Sequence, residues 1–415
     1  VTWPRLLDAL TRPVILAWNA LFVFMLFLTV VPHQVGFPAD AAAYPVDAPA
    51  APVLAQIPLY AMLLLSPVVI VDFVLYVRGL LAEGASLPQL GRGFALASLL
   101  ILVMVFLHVF TTIYDYAAPV GPLFRDRFWL VYLLAGLMLA LPALSAPQGQ
   151  VRSPAPAAPL RWASWAAAAI GITTGVALFL TAARPPKVEM LSDGLRVMTY
   201  NIQQGFDRVG NADLSGQLAA IQRIAPDILG LQESDTARVA NGNVDAVRFF
   251  ADRLGMYSYY GPTTTTGTFG IALLSKYPIE NARTFFLYSS GEQTACIQAQ
   301  IKVKDRTYNV FVTHLGNGGP MVQLQDLLSR VDSLPNVLLM GDFNFGPSSP
   351  QYALATGSLK DAWLLRWPGG KEIWQNGGDD RIDQVFVSPD TDVLEADYVP
   401  DPASDHPYLY VVIGR

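Results

Sequence analysis

Five apolar stretches fill the first half of the chain, at about residues 14–31, 53–77, 93–114, 128–146 and 162–183, with Pro- and Gly-rich connections such as 147–159 between them. Each approaches the roughly 20 residues an α-helix needs to cross a hydrocarbon core, where every backbone N–H and C=O must find its partner inside the helix. Runs of this kind with almost no internal charge do not suit a water-soluble bundle. The sequence therefore predicts an N-terminal all-α multispanning membrane bundle over residues 1–187. The first run reads as a retained span, because four more follow it and no small-residue cleavage site does.

Loop charge predicts the orientation, since Lys and Arg accumulate on the cytoplasmic side. With the N-terminus inside, the inside segments carry Arg5, Arg12, Arg78, Arg92, Arg152 and Arg161, and the outside loops carry only Arg125 and Arg127. Five spans then place everything after residue 184 outside the cytoplasm, with Arg184 and Lys187 pulling weakly the other way. Asp72 and His108 fall in or near spans, where an ionisable group either marks a functional site or is paired between helices.

The second half is different in kind. Residues 1–187 hold ten Lys and Arg and seven Asp and Glu, leaving 17 and 26 for residues 188–415, a net charge near −9. An acidic domain is poorly suited to coat nucleic acid, which is bound mainly through Lys and Arg on phosphates. Cys296 is the only cysteine, so an intrachain disulfide and a Cys-based zinc site are both excluded.

From Gly194 onward, short apolar runs rich in Val, Ile, Leu and aromatics alternate with helix-like segments, as in a layered α/β domain. The runs are 195–200, 228–231, 271–274, 310–313, 337–340, 384–387 and 408–413; helices are expected at 214–224, 245–254 and 321–331. Their ends carry the information. The first stops at Asn201, the second at Glu233 and the fourth at His314. Asp342 and Asn344 follow the fifth, Asp383 begins the sixth, and Asp405-His406 precedes the last. Gathered at one rim, two carboxamides, four carboxylates and two imidazoles could bind a hard divalent cation and move protons around a phosphate. Any one of these residues alone would more often be a solvated turn residue; the ordered set is what points to chemistry.

The set resembles the endonuclease/exonuclease/phosphatase superfamily. The matching text is Thr199-Tyr200-Asn201-Ile202, Leu231-Gln232-Glu233, Gly270 to Lys276, Thr313-His314-Leu315, Gly341-Asp342-Phe343-Asn344, Arg381-Ile382-Asp383 and Ser404-Asp405-His406. The resemblance implies a four-layer α/β sandwich, two central mixed sheets flanked by helices, with the site at one edge. The stretch from Pro226 to Tyr260, together with the multispanning first half, looks like the membrane-bound cell-wall-biogenesis proteins that remodel GPI-anchor lipid to ceramide. It implies Mg²⁺, or Mn²⁺ in its place, with Glu233 as the metal ligand and Asn201 and Asp405 supporting the metal or its waters. His406 paired with Asp383 would activate the attacking water or alcohol, and Asp342 could orient that nucleophile instead. Asn344 would donate to phosphoryl oxygens and His314 would stabilise charge or protonate the leaving oxygen. Lys276 is read as serving the fold, and Trp363, Trp367 and Trp374 as either a headgroup-layer anchor or loop packing.

The expected function is a membrane-tethered phosphodiesterase or phosphodiester transferase acting on lipid headgroups. Two others fit the same residues: an extracytoplasmic endonuclease, and a non-enzymatic binding module of a membrane complex. The complete motif set speaks against the last.

Overall fold

The computed structural model describes residues 10–33, 35–49, 53–84, 86–110, 113, 117–145, scattered positions between 165 and 176, and 194–236, 242, 244–261, 270–369 and 381–414. Two compact bodies emerge. One holds 1–34, 50–108 and 127–183, and the other holds 35–49, 109–126 and 184–415. The second body thus takes in two segments of the first half besides residues 184–415.

The first body is helical. Helices α1 (Arg12–Val30), α2 (Gln56–Leu65), α3 (Pro67–Glu83), α4 (Leu87–Phe110) and α5 (Trp129–Ser145) form where the apolar runs were read. Pro67, which has no N–H to donate, separates α2 from α3. Beyond it the helix runs past residue 77 to Glu83 and stops at Gly84, a residue free to take φ +67°. The third run begins at Leu87 rather than 93, because Arg92 does not interrupt a helix, and it ends at Phe110. Among the described residues three helices are long and apolar enough to cross a membrane: Arg12–Val30, Val53–Leu81 across the Pro67 break, and Leu87–Phe110. No residue of α4 is buried within the protein, and so apolar an exterior supports membrane association. The fifth run, 162–183, lies largely outside the described residues. The two ionisable groups are paired between helices: Asn19 Nδ2 donates to Asp72 Oδ1 at 3.1 Å, and His108 Nε2 lies 3.4 Å from Tyr132 Oη.

The second body holds two sheets. Strands β1 (Val46–Asp47), β6 (Ile279–Phe286), β7 (Ala295–Val303), β8 (Arg306–His314), β9 (Val337–Asp342), β11 (Asp383–Val387) and β10 (Lys360–Asp361) form one, in that spatial order. Strands β12 (Val393–Val399), β13 (Tyr408–Ile413), β2 (Leu195–Asn201), β3 (Ile228–Gln232), β5 (Ile271–Ser275) and β4 (Tyr257–Gly261) form the other. Both are mixed, with β8–β9 and β2–β3 the parallel pairs. Their facing sides share a core that includes Val197, Leu273, Val310, Val312 and Met340. At Gly230 the sheets press so close that a Cβ would strike Met340 Sδ. Helices α6 (Leu214–Ile224) and α7 (Ala246–Leu254) cover one outer face, and α8 (Met321–Val331) and α9 (Pro350–Ser358) the other. The expected four layers are present, and α10 (Ala362–Arg366) packs beside β12.

The loop 35–49 is built into this body. Val46 and Asp47 pair with Phe286 and Phe285, and Val35, Phe37 and Tyr44 are buried in the core between the sheets. Phe37, 5% exposed, meets the Phe286 ring edge-on with centroids 5.1 Å apart. Replacing a buried Phe by Ala costs about 3–5 kcal/mol, against less than about 0.5 kcal/mol in a solvated linker. Phe37→Ala in the full chain is therefore expected to destabilise the second body by about 3 kcal/mol, read from its denaturant midpoint.

Candidate active site

The register of the strands assembles the site. Parallel β8 and β9 set His314 opposite Asp342, and antiparallel β9 and β11 set Asp342 opposite Asp383, a row of three across one sheet. Only glycine fits at 341, since a Cβ there would run into the Thr313 backbone. On the other sheet Asn201 stands opposite Gln232, and Glu233 follows it at φ +46°, a conformation that costs a non-glycine residue about 1–2 kcal/mol. One amide joins the rows: Asn201 Nδ2 donates to Glu233 Oε1 at 3.3 Å and to Asp342 Oδ2 at 3.1 Å. The backbone N–H of Gln203, donating to Asn201 Oδ1 at 3.0 Å, fixes which end of that amide faces the carboxylates.

The loop before β13 brings the last imidazole. Ser404 Oγ donates to the Asn201 carbonyl at 2.7 Å and accepts from the His406 N–H at 3.2 Å. His406 Nδ1 then lies 2.9 Å from Asp383 Oδ2, while its Nε2 faces Asp342 Oδ2 at 3.7 Å. Asp383 is wholly buried, and Tyr398, which sequence reading did not single out, donates its hydroxyl to the same Oδ2 at 3.3 Å. The start of β11 is held by a buried pair, Arg381 Nη2 to Asp361 Oδ2 at 2.8 Å, with Tyr352 Oη donating to that oxygen at 2.8 Å.

Burial opposes charge on His406, but the hydrogen bond and charge of Asp383, followed by the charges of Asp342 and Asp405, raise its pKa. Burial and the neighbouring Asp342 charge raise Asp383, which His406 partly offsets. His314 is likewise raised: Asp342, then Glu292 and Glu233, outweigh desolvation. The sign of a variant follows. A carboxylate beside a ring favours its protonated form, so Asp383→Asn is expected to lower the His406 pKa by at least about one unit. Ring-nitrogen NMR titration of the metal-free protein measures this; an unchanged midpoint would show that the pair is not electrostatically coupled.

A cavity of about 490 Å³ opens onto this row, walled among others by Glu233, Glu292, His314, Asp342, Asn344 and His406. Its wall contains three carboxylates and, among the described residues, neither Lys nor Arg. An anionic phosphodiester needs positive charge there, and the hard oxygen donors of Glu233 and Asp342, drawn toward one amide, suit a divalent cation such as Mg²⁺. Asp342, Asp383 and His406 also bring ligand atoms within 4.8 Å of one another. At 2.9 Å, however, Asp383 and His406 are hydrogen-bonded, which favours a proton-handling pair over a metal cage.

Seven of the eight expected residues thus meet at one rim: Asn201, Glu233, His314, Asp342, Asn344, Asp383 and His406. Asn344 is fastened by its side chain to the Leu315 carbonyl at 2.9 Å and lies 3.3 Å from His314 Nε2. Asp405 departs from the expectation. Its side chain is exposed, outside the cavity wall, and acts on His406 through charge. Lys276 serves the fold, donating to Asp227 Oδ1 and the Ala225 carbonyl, each at 3.0 Å. Trp363 is buried and Trp367 Nε1 donates to the Ala396 carbonyl, so both pack; Trp374 lies outside the described residues. Glu292 and Tyr398 carry no signal in their neighbouring text, because contacts made across the fold are what place them.

Residues 192–339 match the family model described as the C-terminal nuclease-like domain of PGAP2IP. The chain is 30% identical over 237 residues to protein cwh43 of Schizosaccharomyces pombe, across 50% of this chain and 23% of that protein. The chain therefore spans under a quarter of that relative. Among solved structures it is similar to an endonuclease/exonuclease/phosphatase from Beutenbergia cavernae, at 22% identity and TM-score 0.45, covering 54% of this chain and 72% of the other. It is also similar to the human Nocturnin catalytic domain, at 22% identity and TM-score 0.42, covering 56% and 99%. The ordered motifs, the two-sheet fold and the matched nuclease-like family model together support a C-terminal half of the endonuclease/exonuclease/phosphatase type, with a cwh43-like relationship.

Proposed function

We propose that the chain is a membrane-tethered, divalent-metal-dependent phosphodiesterase or phosphodiester transferase whose substrate is the phosphodiester of a lipid headgroup. The observation that carries it is the cavity wall: carboxylates, two imidazoles and two asparagines, with, among the described residues, neither Lys nor Arg to track a nucleic-acid backbone. Apolar helices in the same chain hold such a domain where membrane lipid is at high effective concentration. Chemistry of the GPI-lipid-remodelling kind fits the cwh43-like relationship, and loop charge favours an extracytoplasmic face.

In this reading His406 Nε2 takes the proton of a water or alcohol hydroxyl as its oxygen attacks phosphorus, while Asp383 holds the ring's orientation and tautomer. The phosphorus–oxygen bond to the leaving group breaks, and His314 delivers a proton to that oxygen. Asn344 donates to a phosphoryl oxygen. Glu233, supported by Asn201 and Asp342, would hold a Mg²⁺, which would supply positive charge for the phosphoryl oxygens and offset the carboxylates that raise His406. The test is reconstituted full chain with Mg²⁺ on vesicles covering a broad panel of phospholipids and sphingolipids, followed by mass spectrometry of released headgroups. Release that depends on Glu233 supports the reading. Plasmid nicking with no lipid turnover would replace it with a nuclease.

A further inference from the structure

We infer that the two loops 35–49 and 109–126 are working parts of the catalytic body, and that they restrict its cavity to a phosphodiester presented at a lipid surface. The inference rests on the phosphodiesterase reading above and adds where the substrate must come from.

The first loop is anchored at several points. Beyond the β1 pairing, the Ala48 N–H donates to the Thr284 carbonyl at 2.8 Å, and the Tyr44 and Tyr288 rings meet edge-on at 5.6 Å. Arg330 Nη2 reaches Asp47 Oδ1 at 3.2 Å and the Pro45 carbonyl at 3.4 Å. The second loop hooks onto the first, because Asp126 Oδ1 accepts from the Phe37 N–H at 2.6 Å and Arg125 Nη2 donates to the Pro38 carbonyl at 3.3 Å. From there it sends Ile113, 7% exposed, into a β-bridge with Glu292. Both residues wall the cavity that Glu233, Asp342 and His406 also line.

Connectivity gives this wall its meaning. Ile113 follows Phe110, the last residue of an apolar helix long enough to span a membrane, by three positions. Three residues reach at most about 11 Å. A cavity wall so tied to the end of a span stays at headgroup depth whenever that span is in a bilayer. Ile113 set among polar and carboxylate neighbours in that wall suits a molecule with a charged diester and an apolar shoulder, which is the chemistry of a phospholipid or sphingolipid. A soluble phosphodiester offers the same reacting group and gains nothing from the wall.

The experiment uses the full chain in vesicles of phosphatidylcholine, phosphatidylethanolamine, phosphatidylinositol and sphingomyelin, with Mg²⁺ and two probes: headgroup release from the vesicles, and hydrolysis of bis(p-nitrophenyl) phosphate in solution. The double variant Val46→Pro/Asp47→Arg removes the strand pairing and the Arg330 ion pair without touching the cavity floor. Vesicle turnover is expected to fall about tenfold or more, the scale on which mispositioning costs rate, with soluble-diester turnover within about twofold of wild type. Equal retention of both, or a parallel loss of both, would overturn the inference. So would a wild type that cleaves the soluble diester and no vesicle lipid, an outcome that leaves the phosphodiesterase reading standing. Failure of the reading itself looks different: neither probe is turned over, or Glu233→Ala keeps full activity on either. A readout independent of turnover guards against misfolded variants. Bridge partners lie about 4.5–5.5 Å apart at Cα, within disulfide range, so Ile113→Cys/Glu292→Cys is expected to crosslink in native membranes. Absence of the linked peptides by mass spectrometry would overturn the placement of the loop.

Discussion

Glu233→Ala is expected to abolish Mg²⁺-dependent turnover, with a loss of at least about 10³-fold, because one substitution removes a cavity-lining carboxylate read as the metal ligand and with it the charge stabilisation a metal supplies. The variant should not unfold the protein. Glu233 shares the Asn201 amide with Asp342, so in the metal-free chain it contributes like-charge repulsion that alanine relieves, while the φ +46° backbone is carried by either residue. Removing it leaves the metal-free melting temperature unchanged or higher. The discriminating measurement is the metal's own effect on stability: at a concentration 100 times its dissociation constant a ligand adds about 2.7 kcal/mol to the fold. Wild type should show a Mg²⁺-dependent rise in melting temperature and Glu233→Ala should not. Retention of that rise would move the metal to other oxygens at the same rim.

His406→Ala is the second large effect. General acid–base groups contribute about 10²–10⁴-fold, and His406 is the imidazole whose tautomer is fixed by a buried carboxylate 2.9 Å away. Turnover is expected to fall by about 10³-fold, with the Mg²⁺-induced gain in melting temperature intact. Exogenous imidazole should restore part of the loss, since the vacated space lies on the cavity wall. Asp383→Asn should cost less than removing the ring, because it disturbs the ring's orientation and protonation and leaves the ring in place. Equal rates for wild type and His406→Ala would transfer the proton chemistry to Asp342, 3.7 Å from His406 Nε2 and 3.6 Å from His314 Nε2.

The seven apolar runs of the second half appear as strands, and the helices at 214–224 and 321–331 have the expected bounds. These elements are buried on at least one whole face, so their pattern is strong enough to read locally. Strands β4, β6, β7 and β12 escaped because they mix exposed polar positions with buried ones; Glu280 and Asn281 in β6 are both exposed. Their status as strands depends on partners far away in sequence.

By itself, the sequence determined which residues stand at strand ends, and therefore most of the set that meets at the rim, because a buried strand must be apolar until it reaches solvent. It also determined that the first half is apolar enough for a bilayer. Tertiary structure decided the pairings. Asn201 reaches Asp342 across 141 positions, and Tyr398 and His406 share one oxygen of Asp383. It also decided that two Pro- and Ala-containing connections between the apolar helices belong to the body that carries the candidate site. A two-residue strand and three buried side chains leave no periodic trace in a loop; only the complementary edge of β6 and the space between the sheets give them a place.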